Sequence, residues 1–140
     1  MIADISFSQL QIGDSAEMSK TISEADIYNF AGISGDFNPL HLDQEFAANS
    51  QFKKRIAHGM LTASFISTVI GTSLPGKNTI YLEQSLKFKS PVFIGDTIKA
   101  RVEIIELVSE KNIARLKTQV FNQEGTVVVD GEAKVMKKQI

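Results

Sequence analysis

The chain of 140 residues has no cysteine and only two histidines. Without cysteine it has no disulfide bond, no thiolate metal site and no cysteine nucleophile. Because 15 Lys and Arg stand against 16 Asp and Glu, the charge gives no reason to expect nucleic acid or an acidic membrane as a partner. The first residues lack the basic and apolar regions of a secretory signal. Together with the missing cysteine, this predicts a cytoplasmic protein.

The length fits one compact domain, and we expect residues 1–140 to form a single unit. The sequence contains no internal repeat, no low-complexity tract and no Pro/Gly/Ser-rich linker. A chain of this size buries roughly two thirds of its unfolded surface, so its core needs no structural metal.

The longest stretch without Asp, Glu, Lys or Arg runs from Ile56 to Gly76. It is long enough to span a bilayer, but its six serine and threonine residues make it too polar for a lipid-facing helix. A helix without charge on any side is typical of a position inside a protein. We therefore predict a buried helix over Ile56–Leu74, ended by Pro75.

The residues before this segment predict helices and loops. Ser23 and Asp26 have the spacing of a helix cap, so a helix is expected over Ser23–Ile33. A loop follows over Ser34–Pro39, and a short helix is expected around Asp43–Asn49.

From Thr79 onward, apolar and polar residues alternate with the period of a β-strand. Further runs of this kind begin near Ile98, Arg115 and Val127, and short turns separate them. Connections this short require antiparallel pairing, because a parallel crossover needs about a dozen residues. The alternation slips at Ile104–Ile105, which predicts a β-bulge.

A sheet with one apolar face and an uncharged helix bury each other best when the sheet wraps around the helix. This arrangement is the hot-dog fold, of the α+β class. The sheet retains an unpaired edge and the helix retains exposed surface, so we expect a homodimer formed edge to edge.

Asp36, Asn38 and His41 lie within six residues, and Pro39 stiffens the backbone between them. A stiff loop can hold the Asp36 carboxylate and the His41 imidazole around one water molecule, as general acid–base chemistry on water requires. The same block is typical of a turn in which Asp36 only caps the next segment. The residues by themselves leave both interpretations open.

Gly59 stands at the start of the uncharged segment, directly after His58. At the N-terminus of a helix, the free N–H of Gly59 favours negative charge and would polarise a thioester carbonyl, as an oxyanion hole does. The alternative is that Gly59 only caps the helix. His58 is expected to be a packed side chain, because a lone histidine is more often packed than catalytic.

The order of residues over Tyr28–Ala47, YNFAGISGDFNPLHLDQEFA, resembles the signature of the R-specific enoyl-CoA hydratases of the MaoC-like dehydratase family. The similarity continues through Ile56–Leu61 and Leu74–Gly76, and further into Leu86–Phe88 and Pro91–Asp96. It covers most of the chain, and it is much more specific than an Asp/His pair.

The resemblance implies a hot-dog homodimer that adds water to trans-2-enoyl-CoA and forms (R)-3-hydroxyacyl-CoA. It implies that Asp36 and His41 activate the water, and that the Gly59 N–H holds the thioester oxygen. Asn38 would brace the loop, and Ser67 on the helix would support the site. No cofactor and no metal are expected, since coenzyme A is part of the substrate and hydration needs only acid–base groups and enolate stabilisation.

An acyl chain whose thioester lies at the helix start has to run along the helix or into the sheet. Ile66 and Ile70 are therefore expected to line or floor the acyl pocket. The phosphates of CoA require positive charge, and Lys53–Arg55 is the nearest cluster in sequence, although such a run is more often solvated. Lys87 and Lys89 are further candidates.

Other readings remain open at this point. A dehydratase acting on an acyl-carrier-protein substrate would use the same residues, and a hot-dog acyl-CoA thioesterase would share fold and ligand. A non-enzymatic acyl-CoA-binding module is disfavoured by the intact Asp36, His41 and Gly59. The sequence leaves the acyl length, the carrier, the pathway and the physiological direction undetermined. It also does not tell which of Asp36 and His41 takes the proton from water.

Overall fold

The structure of the protein, a computed structural model, describes residues 1–138. Within this range the strands are β1 (Ser15–Thr21), β2 (Thr79–Gln84), β3 (Lys87–Phe88), β4 (Thr97–Val108), β5 (Ile113–Phe121) and β6 (Val127–Lys137). The helices are α1 (Glu24–Ser34), α2 (Pro39–Leu42), α3 (Gln44–Ala48) and α4 (Gly59–Thr72). The strands form one antiparallel sheet in the order β1-β4-β5-β6-β2, with β3 also paired to β6. Helix α4 packs against this sheet, which gives the predicted α+β hot-dog fold.

The core lies between α4 and one face of the sheet. The inward residues of α4 recur at helical spacing, and they are Leu61, Ala63, Ile66, Val69 and Ile70. The sheet contributes alternate residues of its central strands, which are Ile98, Ala100, Val102, Ile104, Leu116, Val120, Ala133 and Val135. Burying each large aliphatic side chain contributes roughly 1.5–3 kcal/mol relative to leaving it in water. The alternation predicted for β4 and β5 is confirmed, and so is the bulge, because the β4–β5 register shifts just after Ile104.

Helix α4 is shorter than the predicted helix over Ile56–Leu74. The residues before it are extended, since the Ala57 N–H donates to the Val92 carbonyl at 2.7 Å. His58 is the N-cap, so the first helical residue is Gly59. Among the described residues, no helix has the length and apolar character needed to cross a lipid bilayer.

The predicted cap of α1 is confirmed. The Ser23 hydroxyl accepts from the Asp26 N–H at 3.1 Å, and the Asp26 carboxylate accepts from the Ser23 N–H at 2.8 Å. The short helix predicted around Asp43–Asn49 is confirmed as α3, with Asp43 as its cap. The structure corrects the loop predicted over Ser34–Pro39, because the chain is already helical at Pro39, the first residue of α2.

Two features of the sheet depart from the alternation pattern. Strand β1 was not predicted, because its SAEMSKT sequence is mostly polar and its residues alternate only between exposed and half-buried. The single strand expected from Thr79 is broken into β2 and β3. At the break, the Ser85 backbone packs closely against Gly131. A Cβ added at Gly131 would lie 1.8 Å from the Ser85 carbonyl oxygen.

Strand β2 also leaves apolar surface uncovered. Ile80, Tyr81 and Leu82 are each 37–41% exposed, although the alternation predicts that Ile80 and Leu82 face the core. The cause is position, because β2 is the last strand in the sheet order and has no neighbour on its outer side.

Lys137 is a buried charge at the end of β6. It follows the same inward alternation as Val135, and only 2% of its surface is exposed. Its ammonium group donates to the Asp4 carboxylate at 2.5 Å and to the Lys77 carbonyl. This contact ties the N-terminal segment to the sheet.

We predict that Asp4→Ala destabilises the protein, because it leaves the Lys137 ammonium buried with only a neutral acceptor. An unsatisfied buried group costs about 1–3 kcal/mol, which corresponds to a fall in Tm of roughly 3–10 °C. Replacing the ammonium as well, in Asp4→Ala/Lys137→Met, should recover most of the loss, since an apolar side chain needs no partner. Thermal unfolding followed by circular dichroism tests this, and an unchanged Tm in the single variant would contradict it.

Candidate active site

The loop between α1 and α2 presents Asp36 through two consecutive side-chain turns. The Asp36 carboxylate accepts from the Asn38 N–H at 3.2 Å, and the Asn38 side-chain oxygen accepts from the Leu40 N–H at 3.0 Å. Asn38 is thereby the cap of α2, with Pro39 as its first residue. The turn that the sequence offered as an alternative to a site is therefore present. It is also the device that holds the loop in place.

Asp36, His41 and His58 converge on one point. Each offers one nitrogen or oxygen atom, and these atoms all lie within 4.8 Å of one another. His41 is 8% exposed and His58 is 2% exposed, whereas Asp36 is open to solvent. The packing predicted for His58 is confirmed. A carboxylate at the surface thus stands in front of two imidazoles in the interior.

The backbone fixes the tautomer of His41. Its Nδ1 lies 2.8 Å from the Ile56 carbonyl oxygen, which can only accept, so we assign the hydrogen to Nδ1. In the neutral ring, Nε2 then carries a free lone pair. Burial is the largest influence on the His41 pKa and holds it below the ordinary value of 6.5. The hydrogen bond to Ile56 and the Asp36 charge act against burial, and His58 acts with it.

A cavity of about 420 Å³ opens at the start of α4. Asp36, His41, His58 and Gly59 all line it. The remaining wall is mainly apolar and includes Phe52, Met60, Phe88, Val92, Val128 and Val129. A mainly apolar cavity with a few converging polar groups is typical of a site for a small organic ligand.

Gly59 is exposed at the first position of α4, where the helix provides no acceptor for its N–H. The Phe88 ring lies against it, because an added Cβ at Gly59 would be 2.7 Å from the Phe88 Cδ1. Glycine is therefore the residue that leaves room for both the ring and a ligand oxygen. Sequence analysis missed Phe88 at this site, since its place in an alternating strand indicated only a core residue.

Thr62 is a second residue that sequence analysis missed. It is 1% exposed and lines the cavity one helical turn after His58. Among the described residues, its hydroxyl has no hydrogen-bond partner. A threonine on the buried face of an otherwise apolar helix was the available signal.

Three other predicted site residues lie outside this cavity. Ser67 is on an exposed face of α4 and lines a second cavity of about 490 Å³, and Met60 lines both cavities. Ile66 and Ile70 line neither cavity. Being four residues apart, they share the face of α4 that packs into the core, where they are 1% and 2% exposed.

The candidate cations for CoA phosphates differ in their surroundings. The Arg55 guanidinium donates to the Glu24 carboxylate at 2.7 Å and to the Tyr28 hydroxyl at 3.0 Å, so it is already paired with two side chains of α1. Lys54 lies over the Phe93 ring at 4.3 Å. Lys89, by contrast, is exposed and lines the candidate site.

Comparison with known proteins gives matches over nearly the whole chain. The family described as the MaoC like domain matches residues 8–130. An (R)-specific enoyl-CoA hydratase of Rhodospirillum rubrum is 53% identical over 130 residues, covering 93% of this chain and 90% of its own length. The solved structure of an unliganded R-hydratase from Pseudomonas aeruginosa is 48% identical with a TM-score of 0.94, covering 99% of this chain and 89% of that one. The solved structure of an (R)-hydratase from Aeromonas caviae involved in PHA biosynthesis is 50% identical with a TM-score of 0.90. The match covers 92% of this chain and 98% of that one.

We predict that His41 titrates below 6.5, because burial disfavours the imidazolium. Asp36→Asn should lower the His41 pKa further, since the Asp36 charge is one of the groups that raise it. The chain has only two histidines, so NMR titration of the imidazole C–H signals resolves each ring. A His41 pKa at or above 6.5, or a rise in the Asn variant, would contradict this electrostatic account.

Proposed function

The chain belongs to the MaoC-like dehydratase family, and on that basis we propose that it catalyses the R-specific hydration of trans-2-enoyl-CoA to (R)-3-hydroxyacyl-CoA. The enzyme is a hydro-lyase, and the reaction runs in both directions. The observation that carries the proposal is the convergence of the Asp36 carboxylate, the His41 imidazole and the start of α4 at Gly59 on one cavity. The R-hydratases to which the chain is similar support the substrate and the stereochemistry.

The proposed reaction uses these groups in order. His41 Nε2 accepts a proton from a water molecule that the Asp36 carboxylate orients, and the water oxygen bonds to Cβ of the substrate. The π pair of the C=C bond then forms the Cα–carbonyl double bond of an enolate, and the carbonyl π pair moves to the thioester oxygen, where the Gly59 N–H stabilises the negative charge. The His41 imidazolium then returns its proton to Cα. One group takes and returns the proton, so hydrogen and hydroxyl add to the same face of the alkene.

The alternatives raised by the sequence are not favoured. The Rhodospirillum rubrum relative, at 53% identity, is named for a CoA substrate. A carrier-protein dehydratase would act on an acyl-carrier-protein substrate instead, and a thioesterase would cleave the thioester bond. We propose that the (R)-3-hydroxyacyl-CoA product serves polyester synthesis or fatty-acid metabolism in the cytoplasm. That the reaction uses no metal and no further cofactor stays a prediction, since acid–base groups and an N–H donor are sufficient for it.

We further propose that the protein is a homodimer. The β2 edge and the neighbouring face of α4 leave a mainly apolar surface open, which includes Met60, Ile80, Tyr81 and Leu82 beside Ser67 and Glu83. A second copy paired along β2 would continue the sheet and cover this surface. The second cavity lies on the same side, lined by Met60, Ser67 and Tyr81, so the partner would enclose it.

We predict that Asp36→Asn and His41→Gln each lower kcat for crotonyl-CoA hydration by about a hundred- to ten-thousandfold, because the first removes the charge that orients the water and the second removes the base. KM should change much less, since neither side chain is expected to hold the coenzyme. The two losses should be far from additive, because both groups act on the same water. Loss of enoyl absorbance gives the rates, and chiral analysis of the product gives the configuration.

Asp43→Asn is the matched control. Asp43 is an exposed aspartate that caps α3 and does not line the cavity, and asparagine caps equally well. This variant should retain the wild-type kcat, and EDTA should leave the wild-type rate unchanged. Near-normal activity in a folded Asp36→Asn variant would refute the water-activation mechanism.

We predict that light scattering at micromolar concentration gives twice the chain mass of 15.4 kDa. Leu82→Lys should yield the monomer, because it places a charge on the β2 edge. Ile12→Lys serves as the control, since Ile12 is 69% exposed and precedes β1, far from β2 in the sheet order. A wild-type monomer, or a dimer that tolerates Leu82→Lys as well as Ile12→Lys, would contradict pairing along β2.

A further inference from the structure

His58 is a buried polar side chain to which the proposed reaction assigns no step. It is the N-cap of α4, yet its ring makes no capping hydrogen bond and is 2% exposed. A polar ring removed from water needs a specific reason, because burial of an unpaired polar group is unfavourable.

Its one side-chain hydrogen bond spans the site. His58 Nε2 lies 2.9 Å from the Asp36 carbonyl oxygen, which can only accept, so we assign the hydrogen to Nε2. The bond joins the start of α4 to the loop that carries the Asp36 carboxylate. His58 Nδ1 is buried and has no partner among the described residues, so a second hydrogen there would find no acceptor.

The ring also packs against the other members of the site. His58 is stacked on His41, with ring centroids 3.9 Å apart and an angle of 29° between the planes. It contacts Phe30 of α1 at 4.9 Å between centroids. The next residue in the chain is Gly59, the proposed oxyanion donor.

We propose that His58 is a positioning residue which, through its Nε2–H donor and its stacked ring, fixes the relative positions of the Asp36 loop, the His41 ring and the Gly59 N–H. The inference rests on the proposed function, and it adds a residue to which that function gives no role. The hydrogen bond sets the distance between the loop and the helix start, and the stacking limits rotation of the His41 ring. A misplacement of about 1 Å in such a site can cost about a hundredfold in rate.

Two substitutions separate the hydrogen bond from the filled volume. His58→Gln keeps an N–H donor within reach of the Asp36 carbonyl, whereas His58→Met fills similar space without a donor. We expect kcat within about threefold of wild type for Gln and a loss of at least about tenfold for Met, with KM changed little in both. In either variant His41 is the only histidine, so comparison with the wild-type NMR spectrum assigns the ring signals of His58.

The outcomes are distinct. A folded His58→Met variant with wild-type kcat, or equal losses in Met and Gln, would overturn the positioning role. If Met does not fold, Gln decides alone: near-wild-type kcat supports the proposal, and a loss above tenfold overturns it. The ring hydrogen of His58 can be located by ¹⁵N NMR without turnover: we expect it on Nε2, and a ring that carries it on Nδ1 alone would overturn the proposal. A wild-type protein without hydratase activity would refute the proposed function and leave this measurement interpretable.

Discussion

The start of α4 is the constraint on which the site depends. The residues just before the helix are extended and held from three sides. The Ala57 N–H donates to Val92, the Ile56 carbonyl accepts from His41, and the His58 ring donates to the Asp36 carbonyl. These bonds set Gly59 as the first residue of the helix. The free N–H of Gly59 therefore lies at the cavity that Asp36 and His41 also line. The groups of the site come from separate parts of the chain, yet one short segment fixes all of them.

Periodic features could be predicted from the sequence because they depend on neighbouring residues. The Ser23 cap, the alternation in β4 and β5 and the bulge after Ile104 each involve a few consecutive side chains. The pairing of Asp36 with His41 could be predicted for the same reason, since the two residues stand five positions apart. The resemblance to a known signature added their proposed roles, which geometry alone does not assign.

The features that sequence analysis missed depend on contacts between distant segments. Strand β1 has a mostly polar sequence, and its strand conformation follows from pairing with β4. The break between β2 and β3 follows from the close approach of Ser85 to Gly131. Phe88 reaches Gly59 across the cavity, a contact that no local pattern shows. Ile66 and Ile70 were expected at the acyl pocket because they lie on the buried helix, but they pack into the core and line neither cavity.

The balance around His41 explains why one carboxylate lies at the surface and two imidazoles lie inside. Burial favours the neutral ring, which is the form that can accept a proton from water. In the proposed mechanism the ring also has to become an imidazolium, and burial by itself disfavours that form. The exposed Asp36 opposes this effect, because its charge favours the protonated ring, and solvent keeps the carboxylate itself hydrated. The turn around Asn38 and Pro39 makes these opposing effects on the His41 pKa possible, because it holds the Asp36 carboxylate at the surface close to the buried His41 ring.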